Sequence, residues 1–236
     1  MQRYFVKEKN SQNDFILDSS DIHHIKNVMR NNIGSKIEII YDKKVHLCNI
    51  TNLEPFELKI EQIYEEDRDV PLDLTIAVGL VNEQKFDLIL QKATELGVNT
   101  IIPLKMERSI VKLDENKVQK KLLRWEKICK EASEQSHRLK VPQITSPMTL
   151  NEIKTYSAEQ KLICSLNEHT KPLNTYLNQG IKSIIVVIGP EGGITPKEEE
   201  LLLQNNFKSA SLGKRVLRVE TAVIYIASII NYVYKG

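Results

Sequence analysis

From Leu72 onward, apolar runs of strand length alternate with amphipathic helical stretches, and this alternation permits very few folds. The run LDLTIAVGL is apolar almost throughout, as in a strand that is covered on both faces. A helical stripe of apolar residues follows between Phe86 and Leu96, and Gly97 is placed to end that helix. This order of strands and helices predicts an α/β domain with a mostly parallel sheet.

The alternation continues to the end of the chain. Further strands are predicted at NTIIPL, KLICSL, SIIVVIG and ASLG. Further helices are predicted over about 115–137, at PKEEELLLQNN and from Thr221. The last helix is apolar nearly all round, which predicts burial both in the core and in a dimer interface.

The chain up to about Tyr64 has a different pattern, in which short runs of β-branched and aromatic residues are separated by polar turns. These runs are RYFV, DFIL, KIEIIY, VHLCNI and FELKIEQIY. One helix interrupts them, from about Ser20 to the turn at Gly34. We expect a small β-barrel with one helix over residues 1–70. The acidic stretch EEDRDVP marks the boundary, so the α/β domain is expected over residues 71–236.

The formal net charge of the 236 residues is +2, which by itself says little about partners. The basic excess lies between Lys105 and Lys140, with 11 basic and 6 acidic residues. Three widely spaced cysteines fit a reducing, cytoplasmic setting. The sequence has no Cys/His cluster, no apolar signal-peptide core and no stretch long enough to span a bilayer. We therefore expect neither a metal nor a membrane.

A loop rich in glycine, GPEGGIT, joins an apolar strand to a helix that begins at Pro196. Thr195 can cap this helix, and Glu198 completes a capping box. The glycines let the backbone approach a ligand at the carboxyl end of a strand, where open α/β sheets bind ligands. A phosphate is not expected, because Glu191 occupies the loop and glutamates crowd the helix start. The sequence favours a neutral or cationic ligand; a plain glycine turn with Glu191 in solvent is the alternative.

The segment SLGKRVLRVETA repeats this arrangement with an apolar strand, Gly213, a basic turn and the start of the last helix at Glu220 and Thr221. We expect the two glycine loops to end neighbouring strands. No GxGxxG motif follows a predicted strand, so neither a dinucleotide nor the commoner methyltransferase architecture is indicated.

The segments ATELGV, EQSHR, IGPEGGIT and SLGKRVLRVETA, in this order, resemble the ribosomal RNA small subunit methyltransferase E family of the SPOUT superfamily. RYFV and HHIKNVMR resemble its PUA-like domain. The resemblance covers nearly the whole chain. It implies a C-terminal trefoil-knot domain, a homodimer, and methyl transfer from S-adenosylmethionine to N3 of one uridine in small-subunit ribosomal RNA, near the decoding region. This donor carries a sulfonium cation and no phosphate, which suits a loop that contains Glu191.

The resemblance also implies the cofactor site. Contacts to the adenine are expected mainly from the backbone, with Leu212 and Leu217 as apolar walls. The expected cofactor residues are Leu166, Gly189, Pro190, Glu191, Gly192, Gly193, Leu212, Gly213, Val216, Leu217 and Arg218.

Methyl transfer requires that the uridine nitrogen be aligned with the methyl carbon and lose its proton. By resemblance, Arg138 is the first choice for stabilising the developing uracil anion, with Arg218 second. Either Glu134 or Glu191 could accept the proton. The alternative for Arg138 is a solvated cation at a helix end. Replacing Arg138 by alanine is expected to lower methyl transfer without unfolding the protein.

The predicted helix from Asp114 to Arg138 has one apolar face and is basic around the rest, which suits RNA phosphates. Trp125 is expected in the core and not as a base-stacking platform. A merely solvated surface is the alternative. We expect the following residues to contact RNA, the first three of them, in the small domain, by resemblance: Arg3, His24, Arg30, Lys105, Arg108, Lys120, Arg124 and Arg138.

Two other functions fit the same sequence. One is a non-enzymatic RNA-binding factor for ribosome assembly whose knotted domain has lost cofactor affinity. The other is a related knotted enzyme that methylates a ribose 2′-hydroxyl.

Overall fold

The computed structural model of the protein describes residues 1–10, 14–66, 68–167, 171–178 and 180–234, without the side chain of Glu115. The chain forms two compact units. The first comprises Met1–Asp69 and Ser133–Lys140, and the second comprises Val70–Ala132 and Val141–Gly236. Nothing in the sequence pattern indicates that Ser133–Lys140 groups with the N-terminal residues.

The first unit contains a four-stranded sheet in the order β1-β2-β3-β4, with β1 parallel to β2 and the other pairs antiparallel. Its helix α1 continues into a π-helical turn at His24–Val28. The predicted strand DFIL is wrong, because Phe15 forms only an isolated bridge with Lys9. The implied barrel stays a prediction. The elements are β1 Arg3–Phe5, α1 Ser19–His23, β2 Lys36–Tyr41, β3 Lys44–Leu53 and β4 Phe56–Tyr64.

The second unit is the predicted α/β fold. Its sheet has the order β11-β9-β10-β5-β6-β7, with β8 also pairing β6, and the pairings found in the described ranges are all parallel. The strands are β5 Asp73–Gly79, β6 Thr100–Lys105, β7 Gln143–Ile144, β8 Met148–Thr149, β9 Gln160–Cys164, β10 Ser183–Ile188 and β11 Lys208–Ala210. The helices are α2 Glu83–Glu95, α3 Val118–Gln135, α4 Leu150–Ile153, α5 Pro196–Leu203 and α6 Val219–Tyr234.

Both faces of this sheet are covered, which explains the continuous apolar runs. Ile184 and Val186 of β10 belong to one buried cluster, whereas Ile185 and Val187 belong to another. Alternate side chains of a strand point to opposite faces, so each run supplies two core layers. The implied trefoil knot stays a prediction.

The helices bury the apolar faces that their spacing predicts. Phe86 of α2 and Trp125 of α3 are buried, with ring centroids 4.7 Å apart, so the prediction that Trp125 is a core residue is confirmed. Gly97 ends α2 with a φ of 86°, a conformation that glycine adopts without strain. Within the described ranges, each helix is too short or too polar to cross a lipid bilayer.

Candidate active site

Three loops follow three adjacent strands, β11, β9 and β10, at one edge of the sheet. The carboxyl ends of parallel strands share an edge, which is where open α/β sheets bind ligands. The expectation that the two glycine loops end neighbouring strands is wrong, because β11 pairs with β9 and not with β10. The loop after β9 therefore lies between them, and it contains Leu166, whose side chain is 60% exposed.

The loop Gly189–Gly193 depends on its glycines for two different reasons. Gly193 has a φ of 75° and donates its amide to the carbonyl of Pro190 at 2.8 Å, which closes a tight turn. At Gly189, an added Cβ would lie 2.8 Å from Cγ1 of Ile194 and 3.0 Å from the carbonyl carbon of Gly193. One glycine thus allows the backbone conformation and the other allows close packing.

Gly79 is a residue of this site that the sequence reasoning missed. It is the last residue of β5, and an added Cβ would lie 2.5 Å from the nitrogen of Pro190. The loop after β10 therefore passes directly over the end of β5. A glycine at the end of an otherwise apolar strand was the available signal, since such a glycine marks a close backbone approach.

The acidic start of α5 serves as structural support. The predicted capping box is confirmed: Glu198 donates its amide to Oγ1 of Thr195 at 3.3 Å, and its carboxylate accepts the Thr195 amide at 2.9 Å. The same carboxylate accepts the amide of Glu107, after β6, at 2.8 Å. Glu199 accepts the side-chain amide of Asn167, next to Leu166, at 3.0 Å. These two carboxylates are bonded to neighbouring loops. Fewer free negative charges therefore face the glycine loop than the sequence suggests, and the repulsion of a phosphate is weaker.

The charge of Glu191 is also paired within the protein. Its carboxylate forms an ion pair with the ammonium of Lys85 in α2, with 3.0 Å between Nζ and Oε1. At the next residue, Nη1 of Arg108 donates to the carbonyl of Gly192 at 3.1 Å. Arg108 thus has a partner within the glycine loop.

The second loop offers both apolar and basic groups. Leu212 and Leu217 are partly buried against the core, whereas Val216 is 78% exposed. Gly213 has a φ of 106°. Arg218 is exposed, and its carbonyl accepts the Ala222 amide at 2.8 Å, at the start of α6.

In the first unit, Arg3 is the clearest departure from the sequence reading. Its side chain is fully buried, so the expectation that it contacts RNA is wrong. Its Nη2 lies 2.9 Å from Glu38 and 3.1 Å from Glu66, and its Nη1 donates to the carbonyl of His137 at 2.7 Å. With several acceptors around it, this buried guanidinium is committed to the fold. We call Arg3, Glu38, Glu66 and the His137 carbonyl the Arg3 network.

The end of α3 has a defined geometry. The Arg138 amide bonds the Ser133 carbonyl at 3.0 Å and the His137 amide bonds the Glu134 carbonyl at 3.4 Å, which together form a Schellman motif. His137 is the left-handed residue of that motif, with a φ of 58°, a position usually filled by glycine. Burial and the charge of Arg3 lower the pKa of His137, which favours the neutral form of its ring.

Arg138 lies within this motif and is buried, which excludes the solvated helix end as its description. Its Nε is 3.4 Å from Oδ1 of Asp69. Glu134 is half-buried, and its Oε1 accepts the amide of Phe5 at 3.2 Å. His24 bonds the hydroxyl of Tyr4 at 3.0 Å through Nδ1, whereas Arg30 is exposed.

The basic face of α3 is partly neutralised. Arg124 forms ion pairs with Glu83 and Asp87 of α2, and Lys121 also approaches Glu83 at 3.8 Å. Lys120 and Lys105 are exposed. Because Arg124 already has two carboxylate partners, its guanidinium is less available to an external phosphate than the ammonium of Lys120.

Comparison with known proteins agrees with this geometry. A family model described as an RNA methyltransferase domain matches residues 68–231, and one described as an RNA methyltransferase PUA domain matches residues 17–61. The parallel sheet and its loops are thus those of an RNA methyltransferase.

Three relatives narrow this class. A ribosomal RNA small subunit methyltransferase E of Bacillus subtilis (strain 168) is 36% identical, covering 98% of this chain and 96% of its own. Its counterpart from Neisseria gonorrhoeae, solved bound to S-adenosyl methionine, has a TM-score of 0.89 at 31% identity and covers 99% of this chain and 98% of that one. A Legionella pneumophila protein solved with the bound cofactor SAM has a TM-score of 0.89 at 28% identity, with 98% of both chains covered. The chain belongs to the ribosomal RNA small subunit methyltransferase E family, as its motifs predicted.

Proposed function

We propose that this protein uses S-adenosylmethionine to methylate N3 of one uridine in small-subunit ribosomal RNA, near the decoding region. Membership of the family supports the reaction class. The observation that carries the proposal is the set of three loops that follow β11, β9 and β10 at one edge of the sheet. We further propose that the protein works in the cytoplasm as a homodimer joined through α6, where Tyr225 and Tyr232 are 44% and 86% exposed. Light scattering should then give the mass of two chains.

The residues at these loops fit S-adenosylmethionine. At Gly189 and Gly192 an added Cβ would meet Ile194 and Arg108, so these glycines let the loop pack closely at the carboxyl end of β10. Leu166 and Val216 add exposed apolar surface for an adenine ring. The cofactor, when bound, supplies a methyl group on a cationic sulfur. Residues Leu166, Gly189–Gly193 and Leu212–Arg218 would hold it.

We propose that Arg138 stabilises the negative charge that develops on the uracil carbonyls, with Arg218 as the second candidate. A guanidinium suits this task because it stays charged and presents several donors in one plane. We propose Glu134 as the proton acceptor, with Glu191, whose carboxylate is paired with Lys85, as the alternative.

The function is tested with small-subunit particles from cells that lack the protein. The particles are incubated with purified protein and labelled S-adenosylmethionine, and the RNA is digested to nucleosides for mass analysis. We expect 3-methyluridine. A 2′-O-methylated nucleoside would indicate the ribose methyltransferase instead. Absence of incorporation together with tight RNA binding would indicate the assembly factor.

Replacing Arg138 by alanine is expected to lower the rate of methyl transfer by about a hundredfold, because one preorganised donor at a developing anion contributes this much. Because Asp69 would lose the cation beside it, Asp69→Asn combined with Arg138→Ala serves as a second variant that also removes the charge of Asp69. Single-turnover methylation gives the rate, and circular dichroism reports folding. A folded Arg138→Ala protein with full activity would reject this assignment.

Binding to RNA is expected to weaken with rising salt, and Lys120 should contribute more to this dependence than Arg124. Lys120→Met should lower the slope of log affinity against log salt by about 0.7 to 0.9, as for one lost phosphate contact. Arg124→Met should change it less, because that guanidinium is paired with Glu83 and Asp87. Filter binding at several salt concentrations measures both. Equal slopes for the wild type and Lys120→Met would remove Lys120 from the RNA footprint, and a flat salt response of the wild type would remove α3.

A further inference from the structure

Two cations contact consecutive residues of the glycine loop from outside it. Lys85 reaches Glu191 from α2, and Arg108 reaches Gly192 from the segment after β6. Neither contact was visible in the sequence. Lys85 was given no role, and Arg108 was assigned to RNA because of its charge.

The position of Lys85 is well defined. It lies in the first turn of α2, and its amide donates to the side chain of Asn82, the N-cap of that helix, at 3.0 Å. The side chains of Lys85 and Glu191 are 31% and 30% exposed, so both charges are partly removed from water. Partial desolvation makes such a pair stronger than a fully exposed one.

Arg108 is held against the loop by packing as well as by its hydrogen bond. An added Cβ on Gly192 would lie 2.8 Å from Cβ of Arg108 and 3.1 Å from its carbonyl oxygen. The neighbouring amide of Glu107 is bonded to Glu198, just beyond the glycine loop. The Arg108 backbone is therefore fixed beside Gly192, and its Nη1 completes the contact.

We infer that Lys85 and Arg108 are positioning residues for the methyl donor. A loop with three glycines loses more backbone entropy on ordering than other loops, and anchors that order it in advance reduce this cost on binding. The two cations hold residues 191 and 192 from two separate elements, so the main chain is preformed for the ligand. The inference rests on the proposed use of S-adenosylmethionine, and it gives Arg108 a role in cofactor affinity instead of RNA affinity.

The test is calorimetric titration of S-adenosylmethionine into the full-length protein without RNA. Lys85→Met and Arg108→Met are each expected to weaken binding about three- to tenfold, the range for the net loss of one ordinary hydrogen bond. Glu191→Gln should resemble Lys85→Met, and the double variant should be no weaker than either single one, because all three remove one interaction. In steady-state methylation by Lys85→Met and by Arg108→Met, KM for the donor should rise while kcat at saturating donor stays near the wild-type value.

The matched control is Lys92→Met, which removes another ion pair of α2, with Glu95, of similar exposure (36% and 27%). It should leave the affinity for the donor unchanged. Wild-type affinity in Lys85→Met and Arg108→Met would overturn the inference, and so would a reduced RNA salt slope in Arg108→Met with unchanged donor affinity. If the wild-type protein itself does not bind S-adenosylmethionine, the proposed function fails instead.

Discussion

Replacing Gly79 by alanine is expected to lower methyl transfer about a hundredfold and to reduce the free energy of unfolding by about 1–3 kcal/mol. The added methyl would lie 2.5 Å from the nitrogen of Pro190 and 2.6 Å from its Cδ. Both atoms belong to a rigid ring and its backbone, so the loop and not a flexible side chain has to move. Overpacking of this kind costs about 1–3 kcal/mol, and a displacement of about 1 Å at a reaction site can cost a hundredfold in rate.

Two measurements separate the displacement of the loop from the loss of stability. Calorimetry with S-adenosylmethionine reports the loop, and urea unfolding followed by the fluorescence of Trp125 reports the stability of the second unit. Gly180→Ala is the control, because Gly180 has a φ of 104° and no atom within 4 Å of an added Cβ. It should cost about 1–2 kcal/mol through backbone strain alone and leave donor affinity intact. Normal donor affinity in Gly79→Ala would mean that the loop after β10 does not shape the site.

Gly79 also illustrates where sequence reasoning stops. The apolar run up to Gly79 correctly predicts β5, because a strand buried on both faces leaves a pattern within a few residues. Its partner, Pro190, is far along the chain, and no local pattern pairs the two. The strand order could not be predicted for the same reason, because the insertion of β9 between β10 and β11 depends on long-range packing. The capping box could be predicted, because Thr195 and Glu198 are only three positions apart.

Charged residues show this limit most clearly. Arg3 was expected to contact RNA and Glu191 to contact the cofactor by resemblance, whereas Arg124 was expected to contact RNA because it lies on a basic helix. A single sequence shows each of these charges without its partner. In the structure Arg3 is buried among Glu38 and Glu66, and Arg124 is paired with carboxylates of α2. The two glycine loops were recognisable in the sequence because glycines and helix caps are local signals. The ion pairs that support those loops join separate elements and required the fold.

Replacing Arg3 by methionine is expected to destabilise the first unit by about 3–5 kcal/mol, the usual cost of removing one partner from a buried ion pair. Glu38 and Glu66 would keep side chains that are only 10% and 14% exposed without their main cation. Tyr64, which donates to Glu38 at 2.8 Å, has a pKa raised to about 12 by burial and by that bond, so it stays a neutral donor and offsets little of the loss.

The Arg3 network should also respond to acid. Burial raises the pKa of Glu66, but bonds from Arg68 and Arg3 outweigh it, so the pKa lies below its ordinary value of 4.5. A carboxyl whose pKa is lowered by folding stabilises the fold above that ordinary value, and its contribution is lost as the pH falls through the lowered pKa. The wild-type protein should therefore lose stability below about pH 4.5, and Arg3→Met should lose less over the same range.

Hydrogen exchange of two amides that join β1 to β2 measures the effect locally. These are the amide of Glu38, bonded to the Gln2 carbonyl at 2.9 Å, and that of Val6, bonded to the Ile40 carbonyl at 3.0 Å. Lys36→Met is the control, because it removes an exposed pair with Glu61 in the same sheet and should cost less than about 1 kcal/mol. Adding Glu38→Gln and Glu66→Gln to Arg3→Met should restore part of the protection, since neutral side chains need no cation. Wild-type protection in Arg3→Met would show that the buried guanidinium does not hold this sheet together.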